Sequence, residues 1–116
     1  CALLVTPAAF AEGPIVTYTT PDGIPVINHM HSWILHIEDE EGLGIEGAIV
    51  DVDGGMPEHN HGMPTQPQIT EELTPGRYLL KGVRFHMPGL WRMTASISTT
   101  KSQGRPPSVV VIDFTL

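Results

Sequence analysis

The stretch Leu90-Trp91-Arg92-Met93-Thr94-Ala95-Ser96-Ile97-Ser98 sets the fold, because apolar and polar side chains alternate along it. Trp91, Met93, Ala95 and Ile97 share one face, and Arg92, Thr94 and Ser96 share the other. A repeat of two is the period of a strand with one face buried. Downstream, Thr99 to Ser108 is a polar, weakly basic loop. Val109 to Leu116 then alternates again, with Val110, Ile112, Phe114 and Leu116 turned inward.

Upstream the same period recurs between turn signals. Pro88-Gly89 is a tight turn. Arg77 to Met87 sets Tyr78 and Leu80 against Leu79 and Lys81, and Gly82 marks a bulge before Val83, Phe85 and Met87. Thr74-Pro75-Gly76 is a turn after a short strand over Ile69 to Leu73. Glu46 to Asp53 alternates Ala48, Val50 and Val52 with Ile49, Asp51 and Asp53. Ile27 to Ile37 places Trp33, Leu35 and Ile37 on a core face, with His29 and His31 on that face at its upper rim. Ile15 to Thr19 is β-branched and aromatic, as an edge strand is. About seven strands and no helical periodicity predict an all-β, immunoglobulin-like β-sandwich. The single cysteine, Cys1, rules out a disulfide within the chain.

A chain of 116 residues suits one hydrophobic core, and its 12 glycines and 11 prolines suit many turns. Thirteen acidic against six basic side chains give a formal charge of −7. That balance disfavours nucleic acid and anionic membrane surfaces as partners and mildly favours cations. No apolar run reaches the roughly 18–20 residues a spanning helix needs. Cys1 to Ala11 reads as the tail of a secretory signal peptide, with Ala9-Phe10-Ala11 as an A-x-A-like cleavage site. Two rival readings make Cys1 a lipidated first residue or the segment an apolar first strand. The signal reading leaves residues 12–116 as one exported, periplasmic domain.

One stretch has no place in this alternation. Gly54 to Gln68 reads Gly-Gly-Met-Pro-Glu-His-Asn-His-Gly-Met-Pro-Thr-Gln-Pro-Gln, and its prolines and glycines predict a long loop. It carries His59, His61, Met56 and Met63. Imidazole and thioether are borderline and soft donors, and copper accepts both. His59, His61 and Met63 are spaced to fall on one side of an extended segment. His29, His31 and Met87 are further candidate ligands, and Asp51, Asp53 and Glu58 add negative charge. Zinc is disfavoured, since methionine is a poor zinc ligand and the domain has no cysteine. The competing reading is that the histidines fix the loop through main-chain carbonyls and the methionines plug an irregular gap. His36 and His86 point away from the assumed core.

Enzymatic patterns are missing. Glu58-His59-Asn60-His61 is not the zinc-protease spacing, there is no nucleophile elbow, and no glycine-rich loop opens a helix. Glu71 and Glu72 are neighbours on a strand and face opposite ways. A non-catalytic role is expected.

The compound pattern Met56-Pro57-x-His59-x-His61-Gly62, Pro67, Gly76-x-Tyr78 and Phe85-x-Met87-x-Gly89-x-Trp91 resembles the YtkA-like domain, related to the FixH-like group of exported or membrane-anchored bacterial proteins. The similarity runs from about Trp33 to Phe114. The family's usual form has glycine between the two histidines, where this chain has Asn60, and asparagine also tolerates the left-handed region. The resemblance implies a small β-sandwich and a link to copper handling. Two functions follow: a copper chaperone or buffer built on the histidine–methionine loop, or a metal-free module whose sheet edges pair with a protein partner.

Overall fold

A computed structural model describes residues 14–59, 61–99 and 106–116, with His61 described in its main chain alone. The segment read as a signal remnant, Cys1 to Ala11, lies outside the described residues. Eight strands follow in order: β1 (Ile15–Thr19), β2 (Met30–Glu38), β3 (Ile49–Met56), β4 (His61–Gly62), β5 (Gln68–Thr74), β6 (Arg77–Arg84), β7 (Leu90–Ser98) and β8 (Ser108–Thr115). They form two four-stranded sheets, ordered β1-β2-β6-β5 and β4-β3-β7-β8, with every pairing antiparallel. The all-β sandwich expected from the alternation is the fold observed. Because β4 is two residues long, seven strands carry the architecture.

The buried face of each strand is the one its period assigns. Trp33, Leu35 and Ile37 of β2 and Tyr78, Leu80 and Val83 of β6 meet Val50 and Val52 of β3 and Trp91, Met93, Ala95 and Ile97 of β7. Aromatic rings fill the middle. Tyr18 stacks on Trp33 at 4.7 Å, while Phe85 meets Trp91 at 5.1 Å and Phe114 at 5.0 Å, both edge to face. Such pairs add about 0.5–1.5 kcal/mol each beyond their buried area. Gly82, at φ 89°, is the extra residue where the β2–β6 register slips between His31 and Ser32. It returns Val83 and Phe85 to the inner face, as expected of a bulge.

The structure corrects the sequence reading in two places. Ile27 to His29 precede β2 instead of starting it, since Asn28 turns the chain at φ 65° and donates its N–H to the Phe85 carbonyl at 2.7 Å. More consequentially, Gly54 to Gln68 is not one long loop. Gly54 to Met56 complete β3, and His61–Gly62 pair back on it, with Met56 opposite His61 and Gly55 opposite Gly62. The inward alternation Val50, Val52, Gly54, Met56 continues through a residue with no side chain, which period counting on apolar residues cannot register. Glycine is tolerated in a strand interior where other groups approach closely. Here the Met63 and Met93 side chains do.

A methionine and histidine end of the sandwich

The topology sorts the chain's donors by end. The end built from the β1–β2, β3–β4, β4–β5 and β6–β7 connections carries every histidine except His36. All five methionines lie at or just inside it. The β2–β3 and β5–β6 connections at the opposite end contain neither residue type.

The histidines differ in commitment. His31, 6% exposed at the start of β2, accepts the Val26 N–H at Nε2 over 2.9 Å, and the Val26 carbonyl lies 3.3 Å from the same atom. A ring that accepts at Nε2 carries its proton on Nδ1. His31 is therefore spent on the main chain and would reach a metal only by releasing Val26. His59 is exposed at the hairpin tip, and its own N–H donates to the Met56 carbonyl at 3.1 Å, closing the turn. His61 faces Met56 across that hairpin. His29 is exposed beside β2. His86 is half-buried, its ring edge-on to Trp91 at 5.5 Å, so it is less of a surface residue than its period suggests.

Met30 is exposed at the start of β2, and the other four methionines pack against the core. Met56 is 1% exposed, and its methyl would lie 2.7 Å from a Cβ at Gly89. Met87 is half-buried against the core, and its carbonyl accepts the Trp91 indole N–H at 3.0 Å. Met63 follows the hairpin and donates its N–H to the Gly54 carbonyl at 3.0 Å. Its side chain lies over Gly54 together with that of Met93. A Cβ at Gly54 would stand 2.6 Å from Met63 Cε, 3.5 Å from Met63 Sδ and 2.9 Å from Met93 Sδ. Two thioethers thus occupy the space that the glycine leaves. Met93 was readable from the sequence only as a core residue of β7. Its pairing partner, Gly54, is the signal that marks it, and that pairing needs the strand register.

Of the acidic candidates, Glu58 is exposed on the hairpin beside His59, and the two aspartates lie on β3. Asp51 and Asp53 are exposed on the outer face of the second sheet, and Asp53 Oδ1 accepts the Gly54 N–H at 3.0 Å. A shallow hollow of about 320 Å³ lies on that face, lined by Asp53, Arg92 and the main chain of Gly54, Gly55 and Gly62. Among the described residues no group of three or more His, Cys, Asp or Glu side chains converges as a metal site. No helix among the described residues is long and apolar enough to cross a membrane.

Residues 12–96 match the YtkA-like family. The chain belongs to that family. The match starts earlier than the motif-based resemblance, which began near Trp33, and it stops within β7, so β8 lies beyond it. Among curated proteins none matches. Among solved structures, the copper-bound form of a variant of FetP from uropathogenic Escherichia coli strain F11 superposes with a TM-score of 0.52. The identity is 12%, over 90% of this YtkA-like chain and 94% of FetP, which establishes a shared fold.

Proposed function

We propose that this YtkA-like protein is an exported copper-binding domain, a chaperone or buffer and not an enzyme, that holds its ion at the histidine–methionine end. The observation that carries the reading is the segregation of donors: imidazoles and thioethers crowd one end of the sandwich and are missing from the connections of the other. His59 and His61 on the hairpin would receive the ion, with Met63 next in the chain. Met56 and Met87 are packed as core, and His31 is committed to Val26, so these three are reserve ligands at most. Imidazole suits either copper oxidation state, and thioether suits Cu(I). The copper-bound FetP variant that shares the fold supports the reading, as does the surplus of negative charge. Export is supported by the sequence of residues 1–11 and by family membership.

Calorimetric titration of the full chain with Cu(I) and with Cu(II), beside a His59→Ala/His61→Ala variant, tests it. The wild type takes up copper, and the double variant loses on the order of tenfold or more in affinity. Equal binding by the two proteins removes these histidines as ligands.

A second reading, the metal-free interaction module, is favoured by β8. This outer strand of the second sheet exposes Val109 and Val111. Its one charge, Asp113, is held by Arg92 through bonds of 2.8 and 3.0 Å. Long apolar edges are usually blunted by charge, bulges or cover, and an extended partner strand fits this one. Failure of the wild type to bind either copper ion leaves this second reading in place.

A further inference from the structure

We infer that Met63 and Met93 form a thioether pair over Gly54 that takes Cu(I) and rejects Cu(II). The inference rests on the copper reading above and names the ion and a ligand that reading does not include.

The geometry begins with a missing side chain. Inner positions of β3 are filled by Val50, Val52 and Met56, and only Gly54 leaves a gap in that row. The gap is filled from two directions. Met93 reaches it from β7, where it pairs with Gly54, and Met63 reaches it from the segment after the hairpin. Both sulfurs, and not only the methyls, come to it: 2.9 Å for Met93 and 3.5 Å for Met63 from a single point. Methionine commonly fills irregular gaps, but gap-filling alone sets no requirement on where the sulfur lies.

The surroundings choose the oxidation state. Met93 is 2% exposed and Met63 half-buried. Moving an ion out of water costs free energy that grows with the square of its charge, so a monovalent ion enters this site at far lower cost than a divalent one. Two neutral thioethers cannot offset the charge of Cu(II), which prefers imidazole and oxygen donors, whereas Cu(I) is stabilised by soft sulfur. Access is graded. The hairpin with His59 and His61 is outermost, Met63 follows it in the chain and is partly exposed, and Met93 lies innermost. An ion reaching the pair would meet Met63, the more exposed of the two thioethers, before Met93.

The test uses the full chain and competes a chromogenic Cu(I) chelator against wild type, Met93→Leu, Met63→Leu and Gly54→Ala, with Cu(II) uptake measured in parallel. Leucine conserves volume closely, so the two leucine variants fold; thermal melts check this. Each leucine variant is expected to lose about tenfold or more in Cu(I) affinity while its Cu(II) affinity stays unchanged. Gly54→Ala, whose methyl displaces both side-chain ends, behaves like them. X-ray absorption of the Cu(I)-loaded wild type is expected to show sulfur neighbours, whatever the variants do. Wild-type uptake of Cu(I) with unchanged affinity in both leucine variants, or a copper shell of nitrogen and oxygen alone, overturns the thioether pair and leaves the copper reading intact. No uptake of either ion by the wild type overturns both.

Discussion

The two ends of this sandwich gather different side chains: carboxylates and a tyrosine at one, imidazoles and thioethers at the other. At the acidic end, donors and acceptors are spent on the main chain. Tyr78, 2% exposed, donates its hydroxyl to the Ile45 carbonyl and accepts the Ala48 N–H at 3.0 Å, tying β6 to the β2–β3 connection. Glu72 accepts the N–H groups of Gly47 at 3.1 Å and Gly76 at 3.2 Å, and Asp39 accepts those of Glu41 and Leu43. At the other end main-chain ties also occur: Thr65 donates to the Gly82 carbonyl, Gln66 to the Val52 carbonyl, and Asp22 accepts the Ser32 N–H. His31 is held by Val26 in the same way, but most of the soft side chains gathered there are thioethers. Buried or bridging polar groups that are fully satisfied rigidify a fold. Thioethers are weak acceptors, and Met56, Met63, Met87 and Met93 contribute chiefly packing. One end is a clamp of hydrogen bonds, and the other gathers the soft donors on which the copper proposal rests.

Mutations should separate the two roles. The largest expected effect on stability is at the clamp: Tyr78→Phe leaves the Ile45 carbonyl and the Ala48 N–H unpaired at once. A loss of about 1–3 kcal/mol in chemical denaturation follows, with copper uptake unchanged. A copper defect in this variant would blur the contrast between the ends. Next, Met93→Leu is volume-conserving and is expected to cost less than about 1.5 kcal/mol, while it is Cu(I) affinity that falls. Stability loss exceeding that of Tyr78→Phe would make Met93 a core residue first.

Smaller still is Glu72→Gln, read through pH. The N–H groups of Gly47 and then Gly76 hold the Glu72 carboxyl below its ordinary value. A group with a depressed pKa in the fold adds stability that is present above its ordinary value and lost as pH falls through the folded one. The melting temperature of the variant should therefore lie below wild type at neutral pH, and the gap should close on acidification below about 4.5. A gap that persists in acid would mean that shape, and not charge, is what Glu72 supplies. The smallest effect belongs to His59→Ala at the exposed hairpin tip, within about 0.5 kcal/mol of wild type in stability, although copper affinity drops.

The sequence carried the frame because burial in a strand has a period of two. Leu90–Ser98 was read with its bounds intact, and the inward sets Trp33, Leu35, Ile37 and Tyr78, Leu80 were legible for the same reason. Gly82 was readable as a bulge because the alternation breaks at that residue. What was not legible was set by glycine and by pairing. Gly54 and Gly55 signal a loop to anyone reading side chains, yet register with Met93 and Arg92 makes them strand. Met93 is core, as its period assigns, and Met56 is buried, as the gap-plugging reading of the loop methionines has it. His31 was correctly placed at the rim. Its bond to Val26 depends on how the β1–β2 connection folds back, which no spacing rule records.

The most direct test of the division between the ends is to add Cu(I), one equivalent at a time, to isotopically labelled protein and follow its backbone and methionine-methyl NMR signals. Shifts are expected at the hairpin from Met56 to Met63 and at the methyls of Met63 and Met93, with Glu72, Gly76 and Tyr78 unmoved. Signals that stay fixed at the hairpin and at both methyls, or that move first at the Glu72–Tyr78 end, would contradict it.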